Sequence, residues 1–395
     1  MQGHSFRWFM LSLCLSSAML IAACATQQPA PSQPLGLLDD SLFSAPAVRV
    51  SADDVFALSD GMRRYVHEEM APHVRALGPE RALLNALYAK NQLKLDYDTT
   101  MTRNAAEAFS VRSGNCLSLV IMTAAFAREL NMVVRFHNVF VDDTWERSRD
   151  LYFFIGHVNL AVGAKLSNGW NGSFGQSWTT IDFLQGQDLK GQRLEVIEEQ
   201  RIVAMYMNNK AAEALARGRL DDAYAWVRGA IAQDSAFTAA YNTLGVVYQR
   251  QGALSHAERA LRHALAREPG NLHAMGNLVL TLKRQERLGE AEALAAQLRR
   301  LQPAAPFVYF EQGLAALRDN NFAAASALFE REVNRRPEYH EFHFWLAIAR
   351  LNLGDTASAR EHLRQALANS TTREQQALYA GKLNKLSDLQ GPRLQ

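Results

Sequence analysis

Two patterns of apolar and polar positions divide this chain near residue 200. On the N-terminal side, stretches with apolar residues at helical spacing alternate with short β-branched and aromatic runs that read as strands. Helical patterning covers Ala52 to Lys90, with breaks expected at Gly61 and at Gly78-Pro79. Asn104-Ala105-Ala106-Glu107 has the form of a capping box opening a short helix. An apolar helix is predicted from Leu117 to Leu130, with Cys116 on its first turn. Strands are predicted over Met132–Phe140, Leu151–Val162 and Ser177–Leu184, with turn signals at Asn168-Gly169 and Asn171-Gly172. Mixed helices and strands predict an α+β domain over residues 51–200, with a junction near 190–204 where a charged helix is expected.

Beyond the junction the pattern is helical throughout, and one set of positions returns every 34 residues. Gly218, Gly252, Glu286, Asn320 and Gly354 occupy the turn between two helices. Ala223, Ala257, Ala291, Ala325 and Ala359 follow, then Ala230, Ala264, Leu298, Glu332 and Ala366. Ser235, Pro269, Pro303, Pro337 and Thr371 close the units. Small residues let paired helices approach, large ones such as Leu244, Tyr248 and Phe329 fill the space between them, and Pro ends the second helix. Glu286, Asn320 and Glu332 depart from the small-residue preference. The register resembles tetratricopeptide repeats, about five units over residues 204–373, with a capping helix and tail over 374–395. The resemblance implies an all-α solenoid whose concave groove takes a protein or peptide partner. A brace for the N-terminal half is the other reading.

The N-terminus reads as an export signal. Arg7 precedes an apolar segment from Trp8 to Ala23, too short to span a bilayer comfortably, and small residues lead to Cys24. Leu20-Ile21-Ala22-Ala23-Cys24 resembles a bacterial lipoprotein box. The resemblance implies removal of residues 1–23 and lipidation of Cys24. With Ala25 rather than Asp next, it implies the periplasmic face of the outer membrane of a Gram-negative bacterium. An uncleaved helical anchor is the alternative. Residues 24–50, rich in Pro, Gln and Ser at their start, are expected to form a flexible tether.

Of three cysteines, Cys14 falls in the leader and Cys24 at the lipidation box, which leaves Cys116 as a free thiol in an oxidising compartment. Gly114 allows a close approach to the helix start, and a helix N-terminus favours an anionic sulfur. His157 lies on the second strand and Asp182 on the third, where antiparallel pairing brings them side by side. Cys as nucleophile, His as base and acid, and Asp as the group orienting the imidazole form a working set. His137 is the rival base; Asp142, Asp143 and Asp188 are rival carboxylates. A buried thiol, a strand histidine and a strand-end carboxylate are the ordinary readings of the three. The backbone N–H of Cys116 is the first oxyanion donor considered, with Tyr97 and Asn115 for the second. Trp145, Trp170 and Trp178 line a cleft or pack in hairpins.

Arg112-Ser113-Gly114-Asn115-Cys116-Leu117-Ser118, with His157 on one strand and Ile181-Asp182-Phe183 on the next, resembles the transglutaminase-like superfamily. The resemblance covers about residues 80–190, and Leu95 to Phe109 also looks like the approach to the Cys helix in bacterial members. It implies a papain-like α+β core, with Cys116, His157 and Asp182 in thiol-dependent acyl chemistry on amides, either hydrolysis or transfer.

Charge narrows the partners. Lys and Arg number 42 against 40 Asp and Glu, without a long basic run, so nucleic acid is not expected. No glycine-rich nucleotide loop or metal-ligand spacing is seen, and no cofactor is expected. Most of the histidines of the repeat half, His256, His263, His273, His340 and His343, are expected to be solvated or capping. The reading is an envelope-anchored cysteine peptidase or acyltransferase whose repeats recruit a partner or substrate. The alternatives are a non-catalytic lipoprotein scaffold and an amidase acting on cell-wall peptide stems.

Overall fold

The computed structural model describes residues 36–89, 92–98, 101–140, 145–148, 151–154, 156–164, 177–183, 192–302, 307–370 and 372–388. The expected leader, Cys24 and the tether up to residue 35 lie outside the described residues. So do Asp142, Asp143, Trp170, Asp188 and both Asn-Gly turns.

The N-terminal part opens with α1 (Asp60–Arg64), which runs through a π-helical turn at Tyr65–Met70 into α2 (Ala71–Leu77). Gly61 lies inside α1 rather than breaking it, because the Ser59 side chain caps the helix by accepting from the Met62 N–H. Gly78, at φ 83°, makes the break before α3 (Pro79–Tyr88). The chain continues through β1 (Asp96–Tyr97), α4 (Ala105–Val111), β2 (Ser113–Gly114) and α5 (Cys116–Glu129). Then come β3 (Met132–Phe140), β4 (Trp145–Ser148), β5 (Leu151–Phe154), β6 (His157–Ala164), β7 (Trp178–Ile181) and β8 (Arg193–Ile197). Both bonds of the Asn104–Glu107 capping box are present at the start of α4.

Four antiparallel strands in the order β7-β6-β3-β8 form the main sheet. Helix α5 packs against β6 and β3, with α3, α4 and the first repeat helix on its other sides. Every α5 residue from Cys116 to Ala127 is buried, and apart from Ser118 and Thr123 the sequence there is apolar on all faces. Two features differ from the sequence reading. The run Leu151–Val162 is two strands: β5 pairs with β4 in a separate hairpin, and after Gly156 the chain enters the main sheet as β6. Its continuous apolar character hides the change of partner. Strand β8, read as part of a charged helix, pairs with β3 at the sheet edge, where Leu194 and Val196 stay exposed and leave no burial pattern to find.

The C-terminal part is a stack of antiparallel helix pairs. They are α6 (Glu199–Ala216) with α7 (Leu220–Gln233), α8 (Thr238–Gln251) with α9 (Leu254–Arg267), α10 (Leu272–Arg284) with α11 (Leu288–Leu301), α12 (Val308–Arg318) with α13 (Phe322–Arg335), and α14 (His340–Asn352) with α15 (Thr356–Ala368). Helix α16 (Arg373–Asp388) packs on α15. The turn residues Gly218, Gly252, Glu286, Asn320 and Gly354 all have left-handed backbone, with φ between 55° and 86°. Ala223, Ala257, Ala291, Ala325 and Ala359 are fully buried. Glu332, the odd carboxylate in the small-residue column, is buried because it caps a neighbouring helix. Its Oε1 accepts from the N–H groups of Tyr309 and Phe310 at the start of α12, and its Oε2 from Arg335.

Residues 37–50, counted with the tether in the sequence reading, lie along the repeats instead. Phe43 stacks on Tyr224 with ring centroids 4.0 Å apart and also meets Tyr248. The Ser44 and Ala47 N–H groups donate to Asp221 and Asp222, and the Tyr248 hydroxyl donates to the Leu37 carbonyl. This segment, which makes a 3-10 turn at Asp40–Leu42, is docked by side chains 175 to 211 residues away in sequence, which local composition does not reveal.

Candidate functional site

The first turn of α5 is held by groups other than Cys116. Strand β2 runs beside β1 in parallel, pairing Tyr97 with Gly114, and the Asp98 N–H donates to the Gly114 carbonyl. A Cβ on Gly114 would come within 2.6 Å of the Ser118 Cβ, so only glycine lets this strand touch the helix. Asn115 is the N-cap: its Oδ1 accepts from the Ser118 N–H at 2.9 Å and from the Ser118 hydroxyl at 2.7 Å. Its Nδ2 donates to the Thr102 hydroxyl at 3.0 Å, and the Arg103 N–H donates to the Ser118 hydroxyl at 2.8 Å. Asn115 is thus turned into the cap, which removes it as the second oxyanion donor. Cys116 occupies the first helical position, where its N–H has no acceptor within the helix.

The sheet supplies the other groups. Leu160 pairs with Ile181 across β6 and β7, so Asn159 and Asp182 come opposite each other at the next step. His157 is two residues from Asn159, hence on the same face. Its Nε2 lies 2.8 Å and 2.9 Å from the two Asp182 oxygens, and the Cys116 sulfur also hydrogen-bonds to the ring. With Nε2 engaged by the carboxylate, Nδ1 is the nitrogen left for sulfur. The Tyr88 hydroxyl donates to the Asp182 main-chain carbonyl at 3.0 Å. Burial works against a charged imidazole, but the Asp182 carboxylate and the Cys116 sulfur outweigh it and hold the His157 pKa up at about 9. Cys116 and His157 are each 3% exposed, whereas the Asp182 side chain is 18% exposed.

The structure therefore brings Cys116, His157 and Asp182 together. The rival His137 sits on β3, where its Nδ1 lies 3.0 Å from Asn159 Oδ1 rather than on the sulfur. Trp178 carries the Arg135 guanidinium over its ring at 4.2 Å. Asn159 was missed by the sequence reading; the signal was an amide two residues after His157 inside an apolar strand. Among the described residues no group of three or more His, Cys, Asp or Glu could hold a metal ion. Two of the repeat histidines, His340 and His343, are buried. His340 contacts the Tyr379 hydroxyl, while His343 contacts His362 and the Pro337 carbonyl.

Residues 242–306 and 310–374 match the family model for the tetratricopeptide repeat, and the array is a tetratricopeptide-repeat solenoid, a scaffold for protein–protein interaction. No curated protein matches the chain. Among solved structures, the chain is similar to PilF of Pseudomonas aeruginosa, at 21% identity over 48% of this chain and 87% of that one, with a TM-score of 0.29. It is also similar to TTC0263, a tetratricopeptide-repeat protein of Thermus thermophilus, at 20% identity over 46% and 99%, with a TM-score of 0.29. A third is YrrB, described as a tetratricopeptide-repeat protein with an unusual peptide-binding site, at 20% identity over 46% and 92%, with a TM-score of 0.25.

Proposed function

We propose that this protein recruits a protein or peptide through its repeats and acts on an amide of that substrate through Cys116. In this reading the N-terminal domain is transglutaminase-like, with papain-like architecture. The observation that carries the reading is a single imidazole, His157, hydrogen-bonded to both the Asp182 carboxylate and the Cys116 sulfur. With the proton already on the imidazole, the Cys116 sulfur attacks the amide carbonyl as the thiolate of an ion pair. The C–N bond breaks, the imidazolium protonates the departing amine, and a thioester remains. His157 then takes a proton from water or from an acceptor amine, which displaces the sulfur as thiolate and restores the ion pair. Asp182 accepts from the ring throughout, fixing its tautomer and stabilising the imidazolium. The Cys116 N–H is the donor we assign to the oxyanion. No cofactor enters the scheme.

We place the protein, by its Leu20–Cys24 box, on the periplasmic face of an outer membrane through lipidated Cys24. Among the described residues, no helix is long and apolar enough to cross a membrane.

A second reading, a lipoprotein that binds partners without chemistry, is favoured by two facts. The family match is confined to the repeats, and the Cys116 sulfur is buried. One experiment separates the readings. The chain without residues 1–23, carrying Cys24→Ser so that Cys116 is its sole thiol, is treated with fluorescent iodoacetamide at pH 7. The enzyme reading expects labelling roughly tenfold or more faster than that of a free cysteine peptide, lost in His157→Ala. Labelling no faster than the peptide leaves the scaffold.

A further inference from the structure

We infer that Asn159 and His137 are positioning residues for this site, a buried relay that holds the Asp182 carboxylate in line with His157; the inference rests on the acyl-transfer reading above. Three strands deliver one row of polar groups. His137 on β3 pairs directly with Asn159 on β6, and Asn159 stands opposite Asp182 at the end of β7. His137 Nδ1 to Asn159 Oδ1 is 3.0 Å, and Asn159 Nδ2 to Asp182 Oδ2 is 2.8 Å. His137 is 8% exposed and Asn159 2% exposed, in strands whose neighbours are mostly apolar.

The direction of each bond follows from the carboxylate. Asp182 accepts only, so the Asn159 amide must turn its NH2 toward it and its oxygen toward His137. His137 must then carry its proton on Nδ1. A flipped amide would set oxygen against carboxylate and NH2 against the ring. The His137 N–H therefore selects the amide orientation, and the amide selects the carboxylate rotamer. In that rotamer both Asp182 oxygens reach His157 Nε2 while Oδ2 also takes the Asn159 donor. Packing does not require this pair: apolar side chains of similar volume would fill the sites without desolvating an amide and a ring. Among the described residues, the titratable groups acting on His157 are Asp182 and Cys116; the Tyr88 hydroxyl donates to the Asp182 main-chain carbonyl and also feels the carboxylate charge.

The test is the rate of Cys116 alkylation by iodoacetate from pH 5 to pH 10, in the same Cys24→Ser chain. The anionic reagent is drawn by the imidazolium, so the alkaline limb reports loss of the His157 proton. Asn159→Leu is expected to lower that limb by about one pH unit. His137→Phe should lower it by less, and His137→Gln, which keeps a donor for the Asn159 oxygen, should restore it. A variant that unfolds would show the profile of a peptide thiol, rising with pH through about 8.5 with no fall beyond it, distinct from a shifted limb, and the His137 pair then decides. Limbs of Asn159→Leu and His137→Phe that superpose on the parent, while Cys116 stays reactive, overturn the inference alone. A parent whose Cys116 reacts as a peptide thiol overturns the catalytic reading and this inference together.

Discussion

At the scale of single residues the site is a matter of protons and close approach. His157 is charged below about pH 9 and neutral above it. Alkylation of Cys116 by iodoacetate should therefore fall as pH rises through that value. Asp182→Asn removes the carboxylate that holds the ring charged, so the fall should move to lower pH, toward the ordinary histidine range near 6.5. Gly114 makes a different demand. Gly114→Ala must push β2 off α5, because the added carbon meets the Ser118 Cβ at 2.6 Å. The expected cost is about 2 kcal/mol in urea unfolding, with slower Cys116 alkylation as the helix start moves. That Cys116, His157 and Asp182 would lie together was legible because a cysteine at a helix start and groups on successive strands form a recognisable order. Asn159 was not, since an amide in an apolar run gains meaning only from the residues opposite it.

At the scale of elements, side chains distant in sequence complete what local pattern begins. Helix α12 has no side-chain cap of its own, and Glu332 from α13 supplies one. Glu332→Ala leaves two N–H groups and Arg335 without that acceptor, with an expected loss of about 2 kcal/mol. Circular dichroism melting should show the loss in the part of the array around α12 to α15. The docked segment 37–50 behaves likewise. Phe43→Ala removes the ring stacked on Tyr224, an expected loss of about 2 kcal/mol, and should make the segment an early site of limited proteolysis. The repeat helices were readable one by one because their period is intrinsic. Strand β8 and the division of Leu151–Val162 were not, because an edge strand and a change of sheet are defined by partners.

At the scale of the whole molecule, buried apolar contacts among the described residues form separate bodies. One runs without interruption from Val55 through the sheet and α5 to Ala291 in the third helix pair, and joins the α+β domain to the first repeats. Another gathers Phe307, Phe310, Phe329, Phe342 and Leu346 in the fourth and fifth pairs. Such an array need not unfold in one step. Urea unfolding followed by Cys116 protection and by helix content should give two transitions. Leu346→Ala should shift only the one that leaves Cys116 protected, and Leu244→Ala only the other. Coincident shifts in both variants would mean a single cooperative unit.

What the sequence determined by itself was whatever repeats or acts locally. The 34-residue register, the left-handed turn positions and the Asn104–Glu107 capping box are of this kind, because helical period and backbone sterics act over a few residues. Tertiary structure alone decided which strands pair, that residues 37–50 dock on the repeats, that Glu332 caps α12, and that His137 reaches Asp182 through Asn159. Those outcomes depend on hydrogen bonds between groups 22 to 211 residues apart, whose pairing exists only after the chain has closed on itself.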